Sequence, residues 1–276
     1  MAQWTPKAEL YDFGRPFPGR YVVRLFDAFC GIRGQSGLRV FEPGCGTGRI
    51  LLPVAGRYDT WSFSGMDSSP AALAILRGRS QGRMANVKVF EGTLPNDLPL
   101  GPFDLILHSS VLHAVPEWQQ TMSLLSERLT ADGVFCLVGD YGDIYDAALG
   151  RNVRPEIDRG LKLFWDHYLS LRNRFGAPDP ETSQRGCRWD LESTDLAGWL
   201  LQNGFREIKR EEVRWDESFS SRALMTIIEE RCYSSMFTVD EEVYDAIVEQ
   251  MRTDLPSLEA GQVCSKHCAV ARFFRR

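Results

Sequence analysis

The 276-residue sequence has no excess of basic charge: 32 Lys and Arg stand against 37 Asp and Glu, a formal net charge of −5. Such a surface lacks the cations that would neutralise a run of phosphates, which argues against nucleic acid as a partner. No apolar run approaches the ~18 to 20 residues of a membrane span, and Met1 to Lys7 lacks the charged-then-apolar pattern of a secretory signal. Repeats, low-complexity tracts and long Pro/Gly/Ser linkers are also missing, so the chain reads as one continuous domain carrying insertions. The seven cysteines are odd in number and irregularly spaced, unlike a secreted disulfide framework. These absences predict a soluble, cytoplasmic protein with no membrane partner.

What is present is ordinary globular composition, 43% hydrophobic, 11% aromatic and 25% charged, on a chain long enough to bury a large core. Between residues 36 and 140, β-type runs at 38–42, 61–67, 87–91, 103–108 and 133–140 alternate with helical stretches at 69–78 and 117–129. Ser68, Ser69 and Pro70 make a good helix start. This alternation predicts a parallel sheet with helices on both faces. A helix over 20–29 is expected to lie across the ligand edge of the sheet. A helical pattern at 157–175 and the irregular stretch 176–180 read as a lid. Further helices are expected at 195–203, 221–232 and 240–251, with strands at 207–215 and 268–274.

The strongest local signal is Val40-Phe41-Glu42-Pro43-Gly44-Cys45-Gly46-Thr47-Gly48-Arg49-Ile50, a strand ending in a carboxylate that turns through three glycines into a helix. Glycine lets backbone turn sharply and approach a ligand at the carboxyl end of a strand. The spacing departs from the dinucleotide fingerprint, since Arg49 stands where its third small residue would be, and no Gly-Lys-Ser/Thr ending makes a phosphate loop. Nineteen residues after Gly48, Asp67 ends the second strand, where a carboxylate can accept both hydrogen bonds of a ribose diol. Glu91-Gly92-Thr93 and His108-Ser109-Ser110 end the next two strands on the same edge. Cys264-Ser265-Lys266-His267-Cys268 has no second ligand pair, so no metal site is expected.

In the order and spacing of these elements the region resembles the class I S-adenosylmethionine-dependent methyltransferases of the small-molecule type. The resemblance covers about half the chain. It implies a Rossmann-like α/β fold: a seven-stranded, mostly parallel sheet with an antiparallel last strand over 268–274, helices on both faces and helical cap insertions. The whole chain is then a single methyltransferase domain, with an N-terminal cap (1–35), a cofactor-binding core (36–140), a helical lid insertion (141–190) and a C-terminal half of the sheet with a second helical insertion (191–276).

The resemblance also assigns roles. Gly44, Cys45, Gly46 and Gly48 would line the methionine end of S-adenosyl-L-methionine, with Glu42 near its amino group. Asp67 and Ser68 would hold the ribose, Gly92 and Thr93 would border the adenine, and His108 and Ser109 would face the sulfonium. Tyr11 would close over the cofactor. His113, an imidazole just past the fourth strand, is the candidate general base, and Tyr141 after the fifth strand a second catalytic group reaching the acceptor. Trp165, Tyr168, Trp189, Trp215, Tyr233 and Phe237 are expected either to wall an acceptor pocket or to pack as core. The expected activity is methyl transfer to a small organic acceptor, foremost at oxygen. A protein or RNA acceptor, or a catalytically silent binding protein on the same fold, are the alternatives.

Overall fold

The computed structural model describes residues 10, 12–13, 17–33, 37–82, 84–140, 144–146, 151–153, 159–177, 193–232, 236, 239–255 and 262–276. Within them, strands β1 (Arg39–Pro43), β2 (Ser62–Asp67), β3 (Val87–Glu91), β4 (Phe103–Ser109), β5 (Leu129–Asp140), β8 (Arg206–Ser220) and β9 (Gln262–Arg275) form one sheet in the order β3-β2-β1-β4-β5-β9-β8. β1 to β5 run parallel to one another. β9 runs antiparallel between β5 and β8. The chain order reverses between β1 and β4, the crevice where open α/β sheets bind ligands.

Each helix of the core has a local cause. After the glycine turn, α2 (Leu51–Arg57) buries Leu51, Leu52, Val54 and Ala55. At the start of α3 (Pro70–Ser80), the Ser69 hydroxyl accepts the Ala72 N–H, and Pro70 occupies a first-turn position where its missing N–H costs nothing. α4 (Trp118–Glu127) and α6 (Ser193–Gln202) pack on the other face with Phe41, Ile106, Phe135 and Phe274.

One helix lies elsewhere than its sequence suggests. α1 (Gly19–Arg33) does not cross the ligand edge. Val22, Leu25, Phe26 and Phe29 are fully buried on the sheet face. Phe29 stacks on Phe273 with ring centroids 5.6 Å apart and meets Trp61 edge-on. Four large apolar residues on one stripe need a wide apolar surface, and the face of β8, β9 and β5 supplies it.

β8 and β9 outrun the parallel strands. β5 ends at Asp140 opposite Ala269, while β9 continues to pair with β8 from Cys268↔Arg214 to Gln262↔Ser220. This two-stranded ribbon projects past the carboxyl edge of the sheet. α7 (Ser221–Glu229) begins at its tip, with the Ser220 hydroxyl accepting the Ala223 N–H, and α8 (Glu241–Asp254) precedes the return strand. Together with α5 (Arg159–Arg174) these helices enclose a second core of Phe164, Tyr168, Leu224, Ile228, Tyr244, Ile247 and Met251. That core is the cap. A short hairpin, β6 (Ile144–Asp146) against β7 (Arg151–Val153), precedes it where the sequence suggests only helix. Three-residue strands are too short for period-2 alternation to show.

Candidate active site

The glycine turn is built by backbone that only glycine adopts cheaply. Gly44, Gly46 and Gly48 have φ of 68°, 52° and 82°. A Cβ on Gly44 would lie 2.4 Å from Val111, so this glycine admits the segment that follows β4. Among the described residues, a Cβ on Gly46 would meet nothing within 4 Å. The Gly44 and Cys45 N–H groups donate to the Met66 carbonyl at 2.7 and 3.0 Å, tying the turn to β2.

Asp67 secures the same turn from the next strand. Its Oδ2 accepts the Gly46 N–H at 2.8 Å and its Oδ1 the Ser69 N–H at 2.9 Å. One carboxylate thus fixes both the glycine turn and the start of α3, where the helix dipole also favours negative charge. Burial raises its pKa, against the lowering effect of backbone hydrogen bonds from Ser69, Gly46 and Ser68.

Glu42, one residue before the end of β1, is 2% exposed, and among the described residues its Oε2 has no hydrogen-bond partner. Burial pushes its carboxyl well above the ordinary range; the Arg49 guanidinium opposes the shift and Asp67 adds to it. A buried carboxylate oxygen without a donor is costly unless a cation or donor arrives. Beside Asp67 in register, Glu91 ends β3. Gly92 follows, its N–H donating to the Asp67 carbonyl at 3.0 Å. The Thr93 N–H donates to Asp97 Oδ2 at 2.8 Å. Ser109 ends β4 with its Oγ buried and, among the described residues, without a partner.

Glu42, Gly44, Gly46, Gly48, Asp67, Ser68, Gly92, Thr93 and Ser109 therefore gather at the carboxyl ends of four neighbouring strands. Two others point differently. The Cys45 side chain turns inward, where a Cβ on Gly65 would lie 2.8 Å from its sulfur. His108 is 5% exposed, and its Nε2 accepts the Leu112 N–H at 3.2 Å. Burial, with a smaller push from His113, holds the His108 pKa down at about 3, so the imidazole is neutral and shapes the turn after β4. His113 sits half-buried in the single helical turn Leu112–Ala114. Tyr11, Tyr141, Trp189, Tyr233 and Phe237 lie outside the described residues.

Of the other aromatics, Tyr168 is buried in the cap core with Trp165 packed against it. Trp215 joins a stack, with ring centroids 5.2 Å from Phe17, from Tyr21 and from His267. Among the described residues no group of His, Cys, Asp and Glu could hold a metal ion. Cys268 is buried in β9, paired with Arg214.

Two residues outside the motif, Asp12 and Arg79, meet the turn at Thr47. The Thr47 hydroxyl lies 2.8 Å from both carboxylate oxygens of Asp12. Arg79 of α3 donates through Nη1 to Asp12 Oδ2 at 2.5 Å and to the Thr47 carbonyl at 3.2 Å. No local pattern announces a contact between positions 67 residues apart.

The seven-stranded sheet, with a glycine turn leaving β1 and acidic residues at the carboxyl ends of β1 and β2, is the Rossmann-like fold of class I methyltransferases. Residues 41–135 match the family model described as a methyltransferase domain. That match spans the turn, Asp67 and β1 to the middle of β5.

Solved structures share the fold over the whole chain. YjhP from Escherichia coli is 13% identical over 99% of this chain and 100% of its own, with a TM-score of 0.55. A SAM-dependent methyltransferase from Geobacter sulfurreducens, solved with S-adenosylhomocysteine, is 14% identical, with 100% of both chains covered and a TM-score of 0.54. Phosphoethanolamine N-methyltransferase 2 from Haemonchus contortus, also solved with S-adenosylhomocysteine, is 15% identical over 100% of this chain and 58% of its own, with a TM-score of 0.54. A non-reducing polyketide synthase from Preussia isomera is 31% identical over 126 residues, 44% of this chain but 5% of the synthase.

Proposed function

We propose that the chain transfers a methyl group from S-adenosyl-L-methionine to a small organic acceptor, with oxygen as the favoured acceptor atom. The observation that carries this reading is the pair of strand-end carboxylates around an open glycine turn. Glu42 keeps a buried oxygen without a donor, which an ammonium would satisfy. Asp67 Oδ2 accepts the Gly46 N–H and Oδ1 the Ser69 N–H, and a carboxylate with about four acceptor sites retains a lone pair for a ribose hydroxyl even with the Ser68 N–H also facing it. The space facing Gly46 admits a ligand against bare backbone. The residues present fit the cofactor.

When bound, the cofactor supplies an electrophilic methyl carbon on a sulfonium. The chain must hold an acceptor in line with that carbon, about 3 to 3.5 Å away, and exclude water. Gly44, Gly46 and Gly48 would receive the methionine end, with Ser109 across from them. Ser68 would assist at the ribose, and Gly92 and Thr93 would bound the adenine. Cys45 and His108 would then act through their backbone and by shaping loops rather than through their side chains. Tyr11 is proposed to close the cofactor side.

His113 is the residue we assign to accept the acceptor's proton, with Tyr141 beside the acceptor. His108 is unsuited to that task, because its lone pair already accepts the Leu112 N–H. The cap beyond the ribbon would form the roof that excludes water. A polyketide synthase and a phosphoethanolamine methyltransferase among the similar proteins support a small acceptor without choosing one. Among the described residues no helix is long and apolar enough to cross a membrane.

The test is incubation with methyl-labelled S-adenosylmethionine and a panel of phenols, alcohols, carboxylates and amines. We expect label in the extractable small-molecule fraction, matched by S-adenosylhomocysteine. Label recovered only in acid-precipitated protein or RNA would contradict the proposal.

A further inference from the structure

The cap core carries a polar group that packing alone does not call for. On α5, the spacing of Phe164, Tyr168, Leu171 and Arg172 puts them on one helical stripe, and all four are buried. Tyr168 and Arg172 are each 3% exposed. The Tyr168 hydroxyl is buried and, among the described residues, has no hydrogen-bond partner, whereas the Tyr244 hydroxyl donates to the Ile228 carbonyl at 2.6 Å. The Arg172 guanidinium lies 5.9 Å from the centre of the Tyr168 ring.

Arg231 reaches the same group from the end of α7. Its N–H donates to the Ile228 carbonyl at 2.9 Å and the Cys232 N–H to the Ile227 carbonyl at 3.0 Å, a helix end whose left-handed position belongs by preference to glycine. Arg231 takes that position with a φ of 50°. An arginine that bears this backbone cost points to a use for its side chain, and its guanidinium stands 4.1 Å over the Tyr244 ring. Burial raises the Tyr168 pKa, and Arg172 and Arg231 both oppose the rise. Arg172 and Tyr244 lie close enough to act on the Tyr168 hydroxyl, but neither meets it in hydrogen-bond geometry. Two guanidinium groups thus converge on a buried phenol whose O–H is still to be satisfied, a donor set that matches an oxyanion.

We propose that Tyr168, Arg172 and Arg231 form an oxyanion-binding site in the cap, which takes a carboxylate or phosphate group of the methyl acceptor. Assigning the anion to the acceptor rests on the methyl-transfer reading above; the binding site itself does not. The cap core stands on the ribbon past the carboxyl edge of the sheet, the edge along which Glu42 and Asp67 lie. An acceptor held there by its anion is on the side of the molecule that the cofactor would occupy.

The experiment is calorimetric titration of the full chain with benzoate, phenyl phosphate and neutral benzamide, with and without S-adenosylhomocysteine, in wild type, Tyr168→Phe and Arg231→Gly. Wild type should bind one or both anions about tenfold more tightly than benzamide, the scale of one charge-assisted hydrogen bond. Each variant should lose about tenfold toward the anion and nothing toward benzamide. Arg231→Gly relieves the left-handed backbone and Tyr168→Phe removes a buried hydroxyl, so neither should lower the unfolding temperature. A merely structural role would do the reverse, lowering the unfolding temperature while keeping wild-type anion affinity, and would overturn the proposal. Equal binding of benzamide and both anions, or no anion binding by the folded chain in either condition, would overturn it too. Anion binding by a chain that fails to bind S-adenosylhomocysteine would support the site and overturn the cofactor reading instead.

Discussion

Glu42 is the residue whose environment is hardest to reconcile with a domain that binds nothing. A carboxyl raised by burial binds its proton more tightly in the folded chain than in the unfolded one. The stability it contributes is complete below the ordinary glutamate range, about 4.3, and is lost as pH rises through the elevated folded value. Glu42→Gln removes this dependence. The variant should be more stable than wild type at about pH 8 and indistinguishable from it near about pH 4, as read by thermal unfolding across that window. Equal pH dependence of the two proteins would mean that Glu42 does not carry the cost. The same variant should bind S-adenosylhomocysteine more weakly, because the cofactor's ammonium would lose its anion.

At this scale the sequence is informative where chemistry and backbone coincide. A carboxylate, three spaced glycines and a second carboxylate nineteen residues on are legible because they lie at strand ends, whose positions follow from hydrophobic patterning. The contact of Asp12 with Arg79 is not legible, since it joins positions far apart in sequence. His108 is visible as a strand-end histidine, but its burial against Leu112 is a property of the turn after β4.

Among the elements, the glycine turn separates structural from functional demand. Gly46→Ala places a methyl group in open space, so its cost to the fold is the positive φ alone, roughly 1 to 2 kcal/mol. That methyl group nevertheless stands where the ligand would approach. The variant should remain folded and lose most of its affinity for S-adenosylhomocysteine. Gly44→Ala should also be destabilised by collision with Val111, beyond the φ penalty. Calorimetry with both ligands and thermal unfolding distinguish the two effects; full affinity in Gly46→Ala would place the ligand elsewhere.

Element existence is well encoded in this chain. β3 spans the same residues in sequence and structure, and β1, β2 and β4 differ by one residue at one end or both, because each is a short β-type run bounded by turn or helix-start residues. The placement of α1 is not encoded locally. Its amphipathic stripe specifies that one face is buried, and only the width of the β5–β9–β8 surface decides where. The projecting ribbon of β8 and β9 is equally hidden, since strand length beyond a sheet depends on what is built at its tip.

On the scale of the whole molecule, two cores serve two tasks. The sheet and its helices hold the glycine turn, while the cap has its own core on the ribbon. Ile247 is fully buried in the cap, and Ile247→Ala should cost about 2 to 5 kcal/mol locally. Acceptor turnover should fall with a raised KM, while affinity for S-adenosylhomocysteine stays within about twofold, because separate cores couple weakly. Equal losses of both would show that cap and cofactor site are a single cooperative unit.

The central claim is that the open glycine turn between Glu42 and Asp67 binds S-adenosylmethionine and its demethylated product. Isothermal titration of the folded wild-type protein with each ligand tests it most directly. The account predicts saturable binding of both at one site per chain with micromolar affinity; no heat of binding and no thermal stabilisation by either would contradict it.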